Sequence, residues 1–293
     1  MTIIYTYPAL FNCMSNIHIR KGVPMPGNYV TGTKEFADLF IDYSKDGDIH
    51  NKKFLKNFSG EEFFPESFFE LEKTPVDRDN ETFFLKPYAS DNSKNIKIIT
   101  GEFIPPIVPN AHMLQLEILP SLYKGRKFDI RVYVCVSRIG GIMIYKNLFY
   151  RINQNPYQEK ISSKPESYQF TSPLMTQATG SFFEKVRPGE FPLDNYLTQL
   201  ETIISKIYTR LVPLANIGIA EDLNCGYMIG GLDFIPSRDN DLLKFLEVNV
   251  TPGWATDYGL VYYQEFYKLA TEFMLGNDKN TDECIYASIN SRY

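Results

Sequence analysis

Charged and apolar side chains alternate along residues 125–134, GRKFDIRVYV. With the period of two of a β-strand, Lys127, Asp129 and Arg131 project from one face, and the apolar residues between them project from the other. Such alternation is equally typical of a strand with one solvated face. The segment alone therefore leaves a functional and a structural interpretation open.

Hard oxygen donors occur on two later segments. Glu247 and Asn249 project from the same face of KFLEVNV, and Asp233 stands in the apolar run GGLDFI. A carboxylate among apolar neighbours is costly unless it is paired or bound to a metal. Carboxylate and amide oxygens are what Mg²⁺ accepts when it also holds phosphate oxygens. With the cationic strand opposite, these residues predict a polyphosphate site, although a structural hydrogen-bond cluster would show the same pattern.

A lysine at the end of an apolar strand adds a third element. Lys86 closes the run FFLK, before a polar loop at residues 88–95 and a second strand. A lysine there can reach a phosphate while the loop folds over it. Lysines are common at strand ends, so Lys86 indicates a phosphate site only in combination with the charged strand and the oxygen donors described above.

Hydropathy patterns predict the elements that must position these residues. Apolar residues at spacings of three and four predict helices at residues 36–43, 193–211 and 262–275. Residues 152–190 are polar and mixed, and are expected to lie outside the core. The fold class is α/β (α+β mixed), with an N-terminal α/β domain over 1–60, a central domain over 61–120 and a C-terminal domain over 121–293. Strands are expected at residues 82–86, 96–100, 112–118, 128–136, 142–145, 148–151, 227–235 and 242–250.

Composition excludes several classes of protein. The 293 residues are 44% hydrophobic and 22% charged, which is ordinary for a soluble globular chain. The net charge of -5 argues against a nucleic-acid partner, and no window approaches the roughly 20 apolar residues of a membrane span. The chain start lacks the pattern of a signal peptide, and the four cysteines are scattered as in a reducing compartment. We expect a cytoplasmic monomer.

Several motifs, taken together and in order, resemble the tubulin tyrosine ligase-like family of ATP-grasp ligases. RKFDIR at 126–131 resembles its most specific motif, and LEVN at 246–249 resembles its metal-binding strand. The resemblance implies an ATP-grasp fold that clasps ATP between β-sheets. Further segments similar to the family are FPESF at 64–68, FLKP at 84–87, LQLEI at 114–118 and the hairpin at 145–151.

The resemblance implies that lysines from different elements bind the ATP phosphates. Lys86 and Lys127 match family positions directly, and Lys94 lies where relatives are often basic. Lys52 resembles a phosphate-contacting lysine of the first domain. The loop at 88–95 lacks the glycines of the family, which allow close backbone approach to phosphate.

The remaining nucleotide contacts are implied in the same way. Gln115, with the backbone of Leu116 to Ile118, would hold adenine, and Asp129 would hold the ribose.

The resemblance also assigns the metal and the reacting end. Asp233, Glu247 and Asn249 would hold two Mg²⁺ ions. Arg131 and Arg151 would neutralise an acyl-phosphate and the tetrahedral intermediate formed from it.

The implied activity is ATP-dependent ligation of a carboxylate to an amine. A free amino acid would be added to a protein or peptide acceptor, for which a tubulin tail is the family's example. Three alternatives stay open. The first is another ATP-grasp peptide or glutamate ligase, since EVNVTPGW at 247–254 also resembles glutamate-adding enzymes. The second is an ATP-grasp kinase of small molecules such as inositol phosphates, and the third is an inactive scaffold, which the glycine-free loop would suit. The acceptor and the amino acid are not encoded in any motif.

Overall fold

The structure is a computed structural model, and it leaves parts of the chain undescribed. The expected helix at 36–43 and Lys94 lie outside the described residues, and Asn249 is described by its backbone alone. The described residues are 4–6, 29–31, 52–69, 78, 80–88, 96–100, 104, 111–137, 141–159, 193–214, 227–249, 265–266, 268–270, 273, 282 and 284–288.

Strands dominate the described part of the chain, with one long α-helix and a short 3-10 helix. Residues 265–266, 268–270 and 273, within the helix expected at 262–275, are also α-helical. The 3-10 helix η1 spans Lys52–Phe58, and the helix α1 spans Leu193–Leu214. The strands are β1 (Ile4–Thr6), β2 (Tyr29–Thr31), β3 (Ser67–Phe68), β4 (Thr82–Pro87), β5 (Lys97–Thr100), β6 (His112–Leu116), β7 (Leu122–Tyr123), β8 (Arg126–Ser137), β9 (Gly141–Tyr145), β10 (Phe149–Pro156), β11 (Tyr227–Pro236), β12 (Leu243–Asn249) and β13 (Cys284–Ser288).

The larger sheet is organised around β8, its longest strand. β8 pairs antiparallel with β11 along one side, and β11 pairs in turn with β12. Along its other side, β8 pairs with β10 over its first half and with β9 over its second half. Ile130 and Arg131, in the middle of β8, are therefore flanked by both β10 and β11, and charged residues from three strands can meet there.

The smaller sheet is antiparallel and has the order β3-β6-β4-β5. Successive side chains along its strands alternate between two faces. Phe83, Leu85, Ile99 and Leu114 form an apolar cluster on one face. Phe84 and Ile98 lie on the opposite face, which they share with Lys86 by the period of two. Lys86 therefore projects from an apolar surface rather than from the core of this sheet.

The helix α1 covers the larger sheet because its apolar residues recur at three and four. Leu200, Ile204, Ile207 and Tyr208 are fully buried and belong to the same core cluster as Val132 of β8. Full burial of a leucine or isoleucine side chain contributes about 1.5–3 kcal/mol, so this face anchors the sheet behind the charged residues.

Aromatic side chains hold η1 and the following segment against β12. The ring of Phe58 lies 5.5 Å from that of Phe245, and Phe64 lies 6.4 Å from the same ring. The backbone N–H of Phe245 donates to the carbonyl of Phe63 at 2.7 Å. Because η1 begins at Lys52, this packing brings that lysine to the edge of the larger sheet.

Most expected strands are present within a few residues, and α1 is confirmed with three more residues at its end. One expectation is wrong: the chain does not leave the core at residue 152. β10 continues to Pro156, and Ile152 and Asn153 are buried. Polar composition suggested a loop there, but pairing with β8 decides the outcome. Within the described residues, no helix is long and apolar enough to cross a membrane.

Candidate active site

Two ion pairs lie side by side on neighbouring strands of the larger sheet. Arg151 of β10 is the direct cross-strand partner of Asp129, and Arg131 is the partner of Asp233 in β11. Arg131 Nε and Nη2 each lie 2.8 Å from an oxygen of Asp233. Arg151 Nε and Nη2 lie 2.5 and 2.7 Å from the oxygens of Asp129. Both arginines thus make the two-pronged contact that gives guanidinium–carboxylate pairs their strength and geometry.

A third contact joins these pairs into one network. Arg151 Nη2 lies 2.9 Å from Asp233 Oδ2, so Asp233 serves both arginines. Burial alone would raise the pKa of Asp233, but Arg131 and Arg151 outweigh it and lower that pKa to about 2. The carboxylate of Asp233, which stands in an apolar run of the sequence, is therefore paired, as a buried charge must be.

Tyr133 extends the same face of β8. Its ring packs 5.0 Å from Phe149 and 5.7 Å from Phe266. Burial raises the pKa of Tyr133 to about 12, although Arg131 opposes the shift, so the hydroxyl stays neutral.

Glu247 provides a second carboxylate beside Asp233. The two are direct partners in the register of β11 and β12. Lys52 Nζ lies 3.7 Å from Glu247 Oε2, and the Glu247 side chain is 38% exposed. Glu247 is thus the more accessible of the two carboxylates.

The smaller sheet contributes a polar chain that ends at Lys86. Lys86 Nζ donates to Gln115 Oε1 at 2.5 Å, and Gln115 Nε2 donates to Ser67 Oγ at 3.1 Å. Burial lowers the pKa of Lys86 to about 7; Glu247 opposes the shift, whereas Lys52 and Lys127 add to it. Because Lys86 responds to charges on both sheets, it lies where the two sheets approach each other.

Lys127 completes this meeting point from β8. Its Nζ lies 5.5 Å from the centre of the Phe84 ring, and Lys86 Nζ lies 5.8 Å from the same ring. Burial lowers the pKa of Lys127, whereas Glu117 and Asp129 oppose the shift. A buried lysine and a partly buried lysine over one aromatic ring are unfavourable alone and suit a polyanionic ligand.

The donor chemistry fits Mg²⁺ held jointly with phosphate oxygens. Asp233 and Glu247 offer carboxylate oxygens side by side, and Asn249 lies two residues further along β12. Within the described residues, no group of three or more His, Cys, Asp or Glu side chains forms a complete metal site. Mg²⁺ is commonly bound by one or two carboxylates plus substrate phosphates and waters, so a complete protein cage is not required.

The structure brings most of the expected site residues together. Lys86, Gln115 and Lys127 meet at the junction of the sheets, whereas Arg131 and Arg151 lie in the adjoining charge network. The backbone N–H of Leu116 already donates to Glu66 O at 2.9 Å, and β6 ends before Ile118. The adenine role of this backbone stays a prediction.

Three further residues beside the site were not expected from the sequence. Phe84 lies beneath both lysines, and Glu117 accepts a hydrogen bond from Tyr157 at 3.3 Å while its charge acts on Lys127. The period of two could have indicated Phe84, because it stands two residues before Lys86. Tyr157 carries no such signal, since only tertiary packing brings it to Glu117.

Two sheets that meet at Lys86 and Lys127, beside paired arginines and carboxylates, are consistent with the ATP-grasp class. The model of the tubulin-tyrosine ligase family matches residues 24–172, just over half of the chain. The chain therefore belongs to the tubulin-tyrosine ligase family, whose members are in general ATP-dependent ligases. No curated protein matches the chain. Asp233 and Glu247 lie beyond the matched segment, and their place beside Arg131 comes from the sheet register.

Proposed function

We propose that the protein is an ATP-dependent ligase that forms an amide between a carboxylate and an amine. One reactant would be a free amino acid and the other a protein or peptide acceptor. The observation that carries this proposal is the order of charges on one face of β8. Lys127 points to the junction of the sheets, and Arg131, the next side chain after Asp129 on that face, lies in the arginine network.

The chemistry requires activation because a carboxylate has a poor leaving group. When bound with Mg²⁺, ATP supplies the phosphoryl group that converts the carboxylate into an acyl-phosphate, from which an amine displaces phosphate. The protein's part in such a reaction is positioning and charge neutralisation. No nucleophilic side chain is needed.

The lysines of this chain would bind the phosphates. Lys86 and Lys127 lie over the Phe84 ring, and Lys52 acts on Lys86 from η1. Their mutual repulsion falls when anionic oxygens lie between them, so nucleotide binding relieves an unfavourable cluster. Gln115 orients Lys86 through the hydrogen bond to Oε1 and would also face the base.

The arginines would hold the reacting carboxylate. Arg131 and Arg151 are fixed by two-pronged contacts, so their remaining donors have defined directions. A planar guanidinium matches the two oxygens of a carboxylate or phosphate better than an ammonium does. Donors fixed in this way stabilise negative charge that develops on a tetrahedral intermediate.

The acidic residues would complete the site for Mg²⁺. Glu247 is accessible and lies beside Asp233, and Asn249 follows on the same strand. Asp233 would contribute an oxygen while still paired with Arg131 and Arg151, since a carboxylate offers about four acceptor positions.

The proposed acceptor is a protein or peptide, and tubulin tails are the example from the family. A screen should incubate the purified protein with ATP, Mg²⁺, candidate peptides and free amino acids, and follow products by mass spectrometry. We expect one amide, one ADP and one phosphate per turnover. A phosphorylated acceptor without free phosphate would mean a kinase, and failure to bind ATP at all would mean a scaffold.

A further inference from the structure

Ser67 stands at the far end of the hydrogen bonds that reach Lys86. It is the cross-strand partner of Gln115, which is in turn the partner of Phe84. Because side chains alternate along a strand, all three polar side chains share the face of the smaller sheet that carries Phe84. Ser67 and Gln115 are 9% and 2% exposed, so their polar atoms depend on partners within the protein.

The direction of each hydrogen bond in this chain is fixed from both ends. An ammonium only donates, so Gln115 must present its Oε1 to Lys86 Nζ, at 2.5 Å. Gln115 Nε2 then donates to Ser67 Oγ at 3.1 Å, and the hydroxyl oxygen accepts. The hydroxyl proton of Ser67 is donated to the carbonyl of Pro65 at 2.8 Å. A carbonyl only accepts, so the chain runs in a single direction from Lys86 to Pro65.

We propose that Ser67 is a positioning residue that holds the amide of Gln115 in one orientation and thereby fixes Lys86 Nζ where the phosphates of ATP bind. This inference rests on the proposed function, in which Lys86 binds phosphate. It assigns to a buried hydroxyl an effect on nucleotide affinity, although that hydroxyl reaches Lys86 only through Gln115.

The lysine needs such support because its four-carbon stem is flexible. Gln115, held at Nε2 by Ser67, presents Oε1 from a fixed point and takes one of the three donors of the ammonium. Two donors are left for oxygens of a ligand, near the ring of Phe84. Without the hydroxyl, the buried Nε2 would lose its acceptor at Ser67. The amide would then turn to find another acceptor and would withdraw Oε1 from Lys86.

The first experiment compares the variants Ser67→Thr and Ser67→Val by isothermal titration calorimetry of ATP, with Mg²⁺ present. The two substituted side chains have nearly the same shape and only threonine keeps the hydroxyl, so their difference isolates the hydrogen bond. We expect Ser67→Thr to bind ATP within about twofold of the wild type, and Ser67→Val to bind it about three- to tenfold more weakly, the size of one net hydrogen bond. Equal affinities in the two variants would overturn the inference.

Thr100→Val is the matched control. It removes an exposed hydroxyl from the same sheet, on β5 and opposite Thr82. Its loss should leave ATP affinity unchanged, because Thr100 takes no part in the chain to Lys86. A loss of affinity as large as that in Ser67→Val would show a general effect of hydroxyl removal from this sheet, and the inference would fail.

Inorganic tripolyphosphate separates the phosphate end of the ligand from the base. It carries phosphate charges like those of ATP without adenine or ribose, so its affinity reports on the lysines. We expect Ser67→Val to weaken tripolyphosphate by the same factor as ATP, relative to Ser67→Thr. If ATP weakens while tripolyphosphate does not, Ser67 acts on the base through Gln115, and the positioning of Lys86 is refuted.

A second pair of variants tests the route through Gln115. Gln115→Met keeps an unbranched chain of similar length but cannot link Ser67 to Lys86. In this background, Ser67→Thr and Ser67→Val should bind ATP equally, both more weakly than the wild type. An undiminished difference between them would mean that the hydroxyl reaches the nucleotide by another route, contrary to the inference.

Circular dichroism checks the folding of each variant. If the added methyl groups prevent folding, Ser67→Ala compared with the wild type supplies the same measurement, because alanine removes the hydroxyl and adds no volume. A wild type that binds neither ATP nor tripolyphosphate would refute the proposed function itself. Normal binding that is indifferent to the hydroxyl at position 67 would refute only this inference, so the two failures are distinct.

Discussion

The guanidinium of Arg131 spans the carboxylate of Asp233, with Nε–Oδ1 and Nη2–Oδ2 distances of 2.8 Å each. Both groups are largely withdrawn from water, with exposed side-chain fractions of 12% and 2%. Removing one member of such a buried pair leaves an uncompensated charge, which costs more than the pair itself contributes. The same contact therefore serves stability and the geometry of the site.

We expect Asp233→Ala to lower the free energy of unfolding by about 3–5 kcal/mol, because Arg131 and Arg151 both lose a buried partner. Urea denaturation of the protein would measure this change. The matched control is Arg238→Ala, which removes an exposed pair with Glu159 and should cost less than about 1 kcal/mol. Equal losses in the two variants would contradict the structural role of Asp233.

Lys86 should be needed for nucleotide binding. ATP with Mg²⁺ is expected to raise the melting temperature of the wild type, because a ligand that binds only the native state stabilises it. Lys86→Ala should reduce this shift. Lys97→Ala is the matched control, because Lys97 is exposed on the same sheet and alternation places it on the opposite face. An unchanged wild-type melting temperature at millimolar ATP would contradict nucleotide binding.

The binding of ATP should be linked to proton uptake at Lys86. Its pKa of about 7 leaves the free lysine mostly neutral at about pH 8.5, whereas a neighbouring triphosphate favours the charged form. ATP affinity should therefore fall as the pH rises above about 7. Calorimetry in two buffers with different ionisation enthalpies should show uptake of up to one proton, reduced in Lys86→Ala. The same uptake in both proteins would assign the proton to another group.

The alternation with a period of two was enough to predict which side chains share a face of β8, because this pattern is local and runs through residues 127–134. It could not identify the partners on that face. Arg131 and Asp233 are 102 residues apart in the chain, and Lys86 and Gln115 are 29 apart. Such partners depend on strand register, which one sequence does not reveal.

Local composition misjudged one segment for a physical reason. Residues 152–156 are the start of a polar stretch that was expected to lie outside the core, yet pairing with β8 keeps them in β10. Tertiary pairing there outweighs local preference.

Glu247→Gln should separate metal binding from folding. The side chain is 38% exposed, so loss of its pair with Lys52 should change the free energy of unfolding by less than about 1 kcal/mol. Amide formation should fall by about a hundredfold or more, because a ligand charge that orients Mg²⁺ at the phosphates is lost. Glu201→Gln, on the exposed side of α1, is the control. Near-normal turnover in Glu247→Gln would make Glu247 a structural residue.

The variant Arg131→Lys tests whether Arg131 binds the carboxylate that reacts. The substitution keeps the positive charge beside Asp233 but loses the planar fork that grips two oxygens. ATP affinity should stay nearly unchanged, because Lys86 and Lys127 bind the phosphates at the junction of the sheets. Amide formation should fall by roughly ten- to thousandfold, the size of one lost donor in the transition state.

The control for Arg131→Lys is Arg78→Lys. Arg78 also uses a fork, holding Glu66 at 2.8 and 3.1 Å, but in an exposed pair that has no contact with Asp129 or Asp233. Loss of that fork should leave turnover unchanged. If Arg131→Lys weakens ATP binding as strongly as it slows ligation, then Arg131 contacts the nucleotide. In that case it is wrong that β8 binds the phosphates at Lys127 and the reacting carboxylate at Arg131. If it slows formation of a stable phosphorylated acceptor instead of an amide, the same arginine serves a kinase.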